Sequence, residues 1–262
     1  MRAIIVIPAR FGSTRLPGKP LALIHGKSLL YRMWSIAKTV KRVEGVYIAT
    51  DDLRIQEHAE GFGAQVIMTP EQCLNGTERV FAACHGLEYL PDIVLNLQGD
   101  AVLTPPWVIQ TLLDKVLEDE NIGLATTAVQ MTEQQYQAMQ TSKRNGKVGG
   151  TTVVFDKNNN ALYFSKSLIP FIRDKNDPHF PMYRHIGLYC YRYPTLKTYL
   201  NLAPTPLEKI EGLEQLRALE NGIPIKIVKV DYEGRTHWAI DSQDDIDVVE
   251  NIIANEGELL PF

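Results

Sequence analysis

The sequence predicts an α/β protein with a mostly parallel sheet that is flanked by helices. Residues 3–9 form an unbroken apolar run rich in Ile and Val, which is typical of a strand buried on both faces of a parallel sheet. Short apolar runs of this kind then alternate with segments of helical apolar spacing along the first half of the chain. Strands separated by helices of this length pair in parallel through right-handed crossovers. The first half is therefore predicted to be Rossmann-like.

The helices are predicted from the spacing of apolar residues. Leu30, Met33, Trp34 and Ala37 fall at i, i+3, i+4 and i+7, which places them on one face of a helix. The predicted helices cover residues 28–40, 51–61, 77–90, 207–220 and 243–254. The predicted strands after the first cover residues 45–50, 64–68, 92–97, 123–131, 149–155, 161–165, 185–192, 223–230 and 236–240.

The middle of the chain departs from this alternation. After Pro105 and Pro106 the predicted strands follow one another with much less helix between them, and the polar residues 156–160 fit a hairpin turn. Residues 173–181 are the best candidate for a mobile loop. We expect one domain over residues 1–262, made of a main half (1–120), a smaller mixed or antiparallel lobe (121–205) and a return to the main sheet (206–262).

A loop rich in small residues and cations follows the first strand. Residues 10–19 contain two glycines, Ser13, Thr14 and the cations Arg10, Arg15 and Lys19. In open α/β sheets, ligands bind beyond the carboxyl ends of the strands. Backbone N–H groups and cations in such a loop suit an anion with several negative charges, such as a triphosphate. A solvated basic loop has the same composition, and the spacing matches neither common phosphate-binding motif.

Two carboxylates follow later strands. Asp100 comes after the strand at residues 92–97, and Asp241 comes after the predicted strand at residues 236–240. If both strands point to the same edge of the sheet, the two acids converge beside the basic loop. One or two carboxylates, completed by water and phosphate, are typical of a Mg²⁺ site. The structural alternative is that Asp100 begins a turn and Asp241 begins the last helix.

Three further polar groups are candidates for binding. Residues 75–79 lead from a loop into a helix, so their N–H groups and the Thr77 hydroxyl either hold a base or ribose or merely start the helix. His185 near the start of a strand has a structural or a catalytic explanation. On the predicted helix 207–220, the polar residues Glu208, Glu211 and Gln215 share one face, which is either solvated or lines a polyhydroxylated ligand. The stripe formed by Ile210, Leu213 and Leu216 is predicted to be core.

Composition excludes several classes of protein. The 262 residues carry a net charge of −4, which argues against general nucleic-acid binding. Cys73, Cys84 and Cys190 are widely spaced and form no CxxC motif, so neither a zinc site nor a disulfide framework is indicated. The amino terminus runs directly into a strand, and no apolar run approaches eighteen residues. These features indicate a cytoplasmic enzyme that does not bind membranes.

Several motifs together resemble one known family, the CMP-Kdo synthetases, which are 3-deoxy-manno-octulosonate cytidylyltransferases. The motifs are PARFGSTRLPGKPL (residues 8–21), NGTER (75–79), LNLQGD (95–100), ALYFSK (161–166), RHIGLYCYR (184–192) and PLEKIEGLEQLRALENG (206–222). A seventh motif, WAIDSQDDI (238–246), is less similar to the family pattern. The matches occur in the family's order over nearly the whole chain, so the resemblance is specific.

The resemblance implies a fold of the nucleotide-diphospho-sugar transferase type and a homodimer built through the smaller lobe. It implies an enzyme that uses CTP and Mg²⁺ to convert a sugar acid into a CMP-sugar and pyrophosphate, for lipopolysaccharide or capsule-type glycans. The implied catalytic residues are Arg10, Lys19, Asp100 and Asp241, of which the two Asp residues bind the metal. The implied nucleotide-binding residues are Pro8, Ala9, Arg10, Ser13, Arg15, Lys19, Asn75, Gly76, Thr77, Arg79 and Gln98. The implied sugar-binding residues are Gln98, Lys166, His185, Tyr189, Glu211 and Gln215.

Three departures from the family pattern lie on the sugar side. Ala101 and Val102 follow Asp100 where the family usually has Glu-Pro or Gln-Pro, and residues 148–151 replace its usual Val-Lys. Lys166 replaces an Arg and lacks the planar fork that binds a carboxylate through two hydrogen bonds. The sugar is therefore expected to be Kdo or a related 3-deoxy-2-ulosonic acid, including amino and nine-carbon variants. The alternatives are a sialic-acid-type or other sugar nucleotidyltransferase and a non-catalytic nucleotide-binding homologue.

Overall fold

The structure, a computed structural model, describes residues 1–12, 15–146, 149–174 and 182–261. The strands in the described residues are β1 Ala3–Pro8, β2 Leu23–Ile24, β3 Lys27–Ser28, β4 Gly45–Thr50, β5 Gln65–Met68, β6 Ile93–Leu97, β7 Leu124–Gln130, β8 Thr151–Phe155, β9 Ala161–Ser165, β10 Tyr183–Arg192 and β11 Lys226–Lys229. The helices are α1 Leu29–Lys38, α2 Leu53–Gly61, α3 Gly76–Cys84, α4 Pro106–Glu118, α5 Glu133–Arg144, α6 Tyr193–Leu200, α7 Pro206–Glu211, α8 Gln215–Glu220 and α9 Asp244–Glu256.

The main sheet has the strand order β11-β7-β10-β6-β1-β4-β5. Along this path the described strands are parallel except β10, which runs antiparallel to both β6 and β7. Strand β8 pairs antiparallel with β10 and with β9, and this hairpin is the smaller antiparallel part. The predicted fold class, a mostly parallel sheet flanked by helices with a smaller antiparallel extension, is confirmed.

Strand β10 joins the extension to the main sheet. Its first residues, Tyr183 to His185, pair with β8, whereas Leu188 to Arg192 pair with β6. The register against β7 shifts between Ile186 and Tyr189, which is a β-bulge around Gly187. A bulge bends a strand and increases its twist, so one strand can leave the main sheet and enter the hairpin. His185 and Tyr189 therefore lie on either side of this bend.

The two faces of the sheet are covered by different helices, because side chains alternate along a strand. Ile5 and Ile7 of β1 belong to the core cluster that includes α1, α4 and α9. Ile4 and Val6 belong to the opposite cluster, which includes α3, α6 and α8. All four side chains are fully buried, which contributes about 1.5–3 kcal/mol each. Strand β1 thus holds its carboxyl end, and the loop that follows, in a fixed place.

Most predicted elements are confirmed to within a few residues, but the helix content after Pro105 was predicted wrongly. Helices α4, α5 and α6 fill this region, where much less helix was expected. In α4, Val108, Ile109, Leu112, Leu113 and Val116 are all buried with helical spacing. The helix predicted for residues 77–90 ends earlier, at Cys84. A Cβ atom at Gly86 would lie 2.7 Å from Ile67 Cγ2, so the chain turns there in close contact with β5.

The single helix predicted for residues 207–220 is also wrong. Gly212 has φ 62°, a left-handed conformation that ends α7, and α8 begins a few residues later. Glu208, Glu211 and Gln215 therefore do not share one helix face. Leu213 and Leu216 are buried as predicted, but Ile210 is 81% exposed, so the prediction that it belongs to the core is wrong.

Residues 236–240 do not form the predicted strand. Thr236 N donates to the Glu256 carboxylate on α9, and Ile240 N donates to Asp100 O at 3.1 Å. These contacts replace the pairing with a neighbouring strand. Residues 175–181 of the predicted loop lie outside the described residues. In the described part of the chain no helix is long and apolar enough to cross a membrane.

Candidate active site

The loop after β1 is folded back on itself by a small number of backbone contacts. Gly18 N donates to Phe11 O at 2.9 Å, which closes the loop at its base. Gly18 has φ 69°, a conformation that L-residues with a side chain rarely adopt. Leu16 is buried, whereas the side chains of Arg10 and Arg15 are exposed. The predicted ligand Ser13 lies outside the described residues. The loop therefore presents its cations at the carboxyl end of β1.

Lys19 connects this loop to the two carboxylates. Its Nζ atom donates to Asp100 Oδ2 at 2.9 Å and to Ile240 O at 2.8 Å, and it lies 3.8 Å from Asp241 Oδ1. Arg15 forms a second ion pair with Asp241 Oδ1 at 3.1 Å. Asp100 follows β6, the neighbour of β1, and the backbone contact between Ile240 and Asp100 brings Asp241 to the same edge. The structure thus brings together the predicted catalytic residues Lys19, Asp100 and Asp241.

Asp100 and Asp241 are the residues at this edge that could hold a metal ion. The described residues contain no group of three or more His, Cys, Asp or Glu side chains arranged to bind a metal. Mg²⁺ does not require such a cage, because it keeps several waters and binds one or two carboxylates together with substrate phosphates. The two carboxylates already share one cation, the Lys19 ammonium, so their oxygens face a common point. This donor set fits Mg²⁺.

The strand ends beside the loop form a narrow polar floor. A Cβ atom at Gly76 would lie 3.2 Å from both Gln98 Oε1 and Pro8 Cγ, and a Cβ atom at Gly99 would lie 2.8 Å from Pro8 O. Glycine is therefore required at position 99, where a side chain would meet the backbone of Pro8, and a side chain at position 76 would be tightly packed. Asn75 caps α3 by accepting from Glu78 N at 2.9 Å. Ala9 is buried, and its N–H donates to Ala49 O at 2.8 Å. Pro8, Gly76 and Gln98 therefore meet at the amino end of α3.

Thr77 and Arg79 point into the protein from α3. The Thr77 hydroxyl donates to Glu214 Oε1 at 2.9 Å and accepts from Asn96 Nδ2 at 3.3 Å. The buried guanidinium of Arg79 donates to Asp51 Oδ2 and to Thr69 Oγ1, both at 2.6 Å. Protein atoms occupy these polar groups, so in the structure both residues connect α3 to neighbouring segments of the protein.

His185 lies in an apolar and aromatic environment on β10. Its Nε2 atom lies 2.9 Å from Thr126 Oγ1, and its ring makes an edge contact with Phe164 and lies near Tyr189. Burial lowers the pKa of His185 to about 3, and the positive charge of Lys166 adds to this shift. The imidazole is therefore neutral near pH 7. Tyr189 is also buried, and burial raises the pKa of its phenol well above the usual value.

Glu211 holds the end of β9. Its Oε1 atom accepts from the Ser165 hydroxyl at 2.7 Å and from the Tyr163 hydroxyl at 3.4 Å. Its Oε2 atom accepts from Lys166 N at 2.8 Å. Glu211 is one of the predicted sugar-binding residues, and in the structure both of its carboxylate oxygens accept hydrogen bonds from the end of the hairpin. The contacts fix the position of Lys166 beside His185.

Glu214 was missed by the sequence prediction. Its Oε2 atom and the Gln215 Nε2 atom are both buried, and neither has a hydrogen-bond partner within the described residues. Burial raises the pKa of the Glu214 carboxyl, because the charged form is poorly solvated there. Unpartnered buried polar groups are costly and suit a site that a polar ligand completes. Gly212 was the sequence signal, because a glycine inside a predicted helix is a candidate helix end, and Glu214 then lies directly before the next helix.

The fold and the site define a class of protein. A Rossmann-like sheet, a cationic loop after β1, two acids at the same edge and buried polar groups near β10 are the features of a nucleotidyltransferase. The sequence matches the model of a family described as cytidylyltransferase over residues 4–228.

Curated relatives narrow this class. The chain is 50% identical over 260 residues to 3-deoxy-manno-octulosonate cytidylyltransferase of Maricaulis maris, covering 99% of this chain and all of the relative. It is 42% identical over 230 residues to 8-amino-3,8-dideoxy-manno-octulosonate cytidylyltransferase of Shewanella pealeana, covering 87% and 89% of the two chains. A solved structure of CMP:2-keto-3-deoxy-manno-octonic acid synthetase complexed with CTP is similar with a TM-score of 0.86 and 34% identity, covering 98% of this chain and 100% of that chain. The chain belongs to the 3-deoxy-manno-octulosonate cytidylyltransferase family, which confirms the resemblance stated above.

Proposed function

We propose that this protein activates Kdo, or a close 3-deoxy-2-ulosonic acid analogue, with CTP to give a CMP-sugar and pyrophosphate. One observation carries the proposal most directly. Lys19 joins the cationic loop to Asp100 and Asp241 at the edge of the sheet where α/β proteins bind ligands. The family relationship supports CTP as the nucleotide and a sugar acid as its acceptor.

The triphosphate is assigned to the loop after β1. Positive charge is supplied there by Arg10, Arg15 and Lys19. Ser13 is assigned to the same nucleotide-binding loop on the basis of the sequence. Asp100 and Asp241 would hold Mg²⁺, which when bound neutralises phosphate charge. The floor formed by Pro8, Ala9, Asn75, Gly76 and Gln98 is assigned to the nucleoside, and Thr77 and Arg79 support it from below.

The sugar acid is assigned to the region around the buried polar groups of Glu214 and Gln215. Gln98 Nε2 donates to Asn96 Oδ1 at 3.4 Å, and Asn96 is linked to Glu214 through the Thr77 hydroxyl, which supports an assignment of Gln98 to both substrates. Glu214 and Gln215 offer an unpartnered acceptor and an unpartnered donor, which suit sugar hydroxyls. His185 and Tyr189 line the bend of β10, and Lys166 supplies a positive charge for the carboxylate. Glu211 holds β9 in this account.

The reaction requires no covalent enzyme intermediate. The anomeric hydroxyl oxygen of the sugar forms a bond to the α-phosphorus of CTP, and the bond from that phosphorus to the bridging oxygen of pyrophosphate breaks. The hydroxyl proton is lost to solvent, and pyrophosphate leaves with the electron pair of the broken bond. Charge accumulates on the phosphoryl and pyrophosphate oxygens, and the cations of the loop are placed to stabilise it.

A cytoplasmic homodimer is part of the proposal. Leu162 on β9 is 62% exposed and Phe171, in the segment after β9, is 89% exposed, and exposed large apolar side chains are common at contacts between chains. Sedimentation equilibrium is expected to give the mass of two chains. A single-chain mass at micromolar concentration would contradict the dimer.

The function is tested by a pyrophosphate-release assay. CTP, UTP, ATP and GTP are each combined with Kdo, 8-amino-Kdo and sialic acid, with and without Mg²⁺. We expect release with CTP, with Kdo or its amino analogue, and only with Mg²⁺. Release with UTP or GTP but not with CTP would overturn the cytidylyl assignment, and release with sialic acid alone would overturn the sugar assignment. CTP binding without release for any sugar acid would overturn the enzyme assignment.

A further inference from the structure

An arginine from helix α2 lies over the aromatic ring of the cationic loop. The Arg54 Cζ atom is 3.3 Å from the centroid of the Phe11 ring. Arg54 belongs to the first turn of α2, which follows β4, and β4 is the neighbour of β1 on the side away from β6. The Arg54–Phe11 contact therefore connects the loop to the β4 side of β1, whereas Lys19 connects it to Asp100 on the β6 side. An arginine over an aromatic ring is attracted to it electrostatically.

Phe11 is placed to control the shape of the loop. Its carbonyl oxygen accepts from Gly18 N at 2.9 Å, the hydrogen bond that closes the loop. A Cβ atom at Gly18 would lie 3.1 Å from Phe11 Cε2, so the ring packs directly against the backbone of Gly18. Any rotation of the ring would disturb the residue next to Lys19. The position of the ring and the position of the Lys19 backbone are therefore linked.

Arg54 is itself held in one orientation. Asp52 Oδ1 accepts from Arg54 N at 2.9 Å and from Arg54 Nε at 3.0 Å, and Asp52 Oδ2 accepts from an Arg54 terminal nitrogen at 2.6 Å. A guanidinium bound to both oxygens of one carboxylate has a defined plane. Asp52 also caps α2, so the arrangement is built on a rigid element.

We propose that Arg54 is a positioning residue for the triphosphate loop and acts through the Phe11 ring. The proposal rests on the proposed function, because it assumes that this loop binds CTP. The loop is tied on one side by the contact of Lys19 with Asp100 and on the other by the contact of Arg54 with Phe11. Loss of the contact between Arg54 and Phe11 weakens the binding of CTP and leaves the chemical step unchanged.

The test is steady-state kinetics with a double-mutant cycle. Arg54→Ala is expected to raise the KM for CTP by about two- to fivefold, the range of an exposed cation–π contact, with kcat and the KM for the sugar acid unchanged. Phe11→Leu keeps an apolar side chain and is expected to raise the same KM. In the double variant the KM is expected to match that of Phe11→Leu alone. Arg54→Lys keeps the positive charge and is expected to restore part of the loss.

Arg2 provides a matched control. Its guanidinium lies 4.1 Å from the centroid of the Tyr89 ring, at the amino end of β1, so Arg2→Ala removes a similar contact far from the loop. This variant is expected to leave every kinetic constant unchanged. A wild-type protein that releases pyrophosphate and an Arg54→Ala variant with unchanged KM for CTP would overturn the positioning role alone. An equal effect of Arg54→Ala with and without the Phe11 ring would show a direct contact with the nucleotide and would also overturn it. Absence of pyrophosphate release by the wild type would instead overturn the proposed function.

Discussion

The two sides of the proposed site differ in how their charged groups are paired and buried. On the proposed triphosphate side, Arg15 and Asp241 form an exposed ion pair, and Lys19 and Asp100 form a half-buried one. On the proposed sugar side, polar groups are buried and only partly paired, and the pKa values of His185 and Glu214 are shifted by burial. Exposed pairs contribute little to stability, whereas unpaired buried groups cost stability until a ligand completes them. Substitutions on the triphosphate side should therefore change activity without changing stability, and those on the sugar side should change both.

The largest effect is expected at Asp100. Asp100→Asn preserves the shape of the side chain and removes the charge that faces Lys19, so turnover should fall by about 100-fold or more. The temperature of unfolding should stay close to that of the wild type. Asp114→Asn, which removes a carboxylate paired with Arg42 on the surface, is the control and should retain full activity. Retained turnover in Asp100→Asn would remove this residue from the site.

A smaller effect on activity is expected at Glu214. Glu214→Gln replaces an unpartnered carboxylate oxygen, so the KM for the sugar acid should rise by about tenfold while the KM for CTP stays constant. Although sugar binding should weaken, the stability of the folded protein should increase in this variant. The folded pKa of Glu214 is raised, so the wild type loses stability as pH rises from the unfolded pKa through the folded one. The variant lacks this loss and should become more stable relative to the wild type across that window.

Glu211→Gln is the matched comparison for Glu214. Both oxygens of Glu211 bind β9, so this variant should lower stability through weaker anchoring of the hairpin. Thermal unfolding of both variants between pH 4 and pH 8 checks the contrast. An equal loss of stability in the two variants would contradict the distinct roles assigned to them.

His185 should make stability depend on pH. Its folded pKa of about 3 lies below the unfolded value of 6.5, so the unfolded state binds a proton that the folded state does not. Stability should therefore fall as pH falls from 6.5 towards 3, by about 1.4 kcal/mol per pH unit from this group. His185→Gln should weaken this dependence in urea unfolding curves, and His85→Gln at an exposed histidine should not. Identical pH profiles for wild type and His185→Gln would contradict the buried neutral imidazole.

The smallest effect is expected at Arg15. Its pair with Asp241 is exposed, so Arg15→Gln should change the free energy of unfolding by less than about 0.5 kcal/mol. The KM for CTP should rise by about two- to fivefold, and the rise should shrink at high salt because screening weakens exposed charges. A large loss of stability in this variant would contradict the contrast between the two sides.

The convergence of the cationic loop with Asp100 and Asp241 was largely predictable from the sequence. The cationic loop directly follows the buried strand β1, and Asp100 closely follows β6. Local sequence patterns were therefore sufficient to predict where these residues lie. Asp241 was placed correctly beside Asp100 although residues 236–240 are not a strand. The contact between the Ile240 N–H and Asp100 O has the same effect as strand pairing would have.

The sugar side was less predictable, because it depends on two changes of chain direction. The helix break at Gly212 separates Glu211 from Glu214, so the single predicted helix did not indicate that the Glu214 carboxylate is buried. The bulge at Gly187 brings His185 near Thr126, although the alternation of β10 alone does not indicate this contact. Both features are set by packing between distant segments, which single-sequence periodicity does not report.

The central claim is that Asp100 and Asp241 form, with the loop that contains Lys19, one site for metal and triphosphate. Its most direct test is the CTP affinity measured by titration calorimetry with and without Mg²⁺, for the wild type, Asp100→Asn and Asp241→Asn. We predict that Mg²⁺ increases the CTP affinity of the wild type and that either substitution removes most of this increase. An equal increase with Mg²⁺ in all three proteins would contradict the claim.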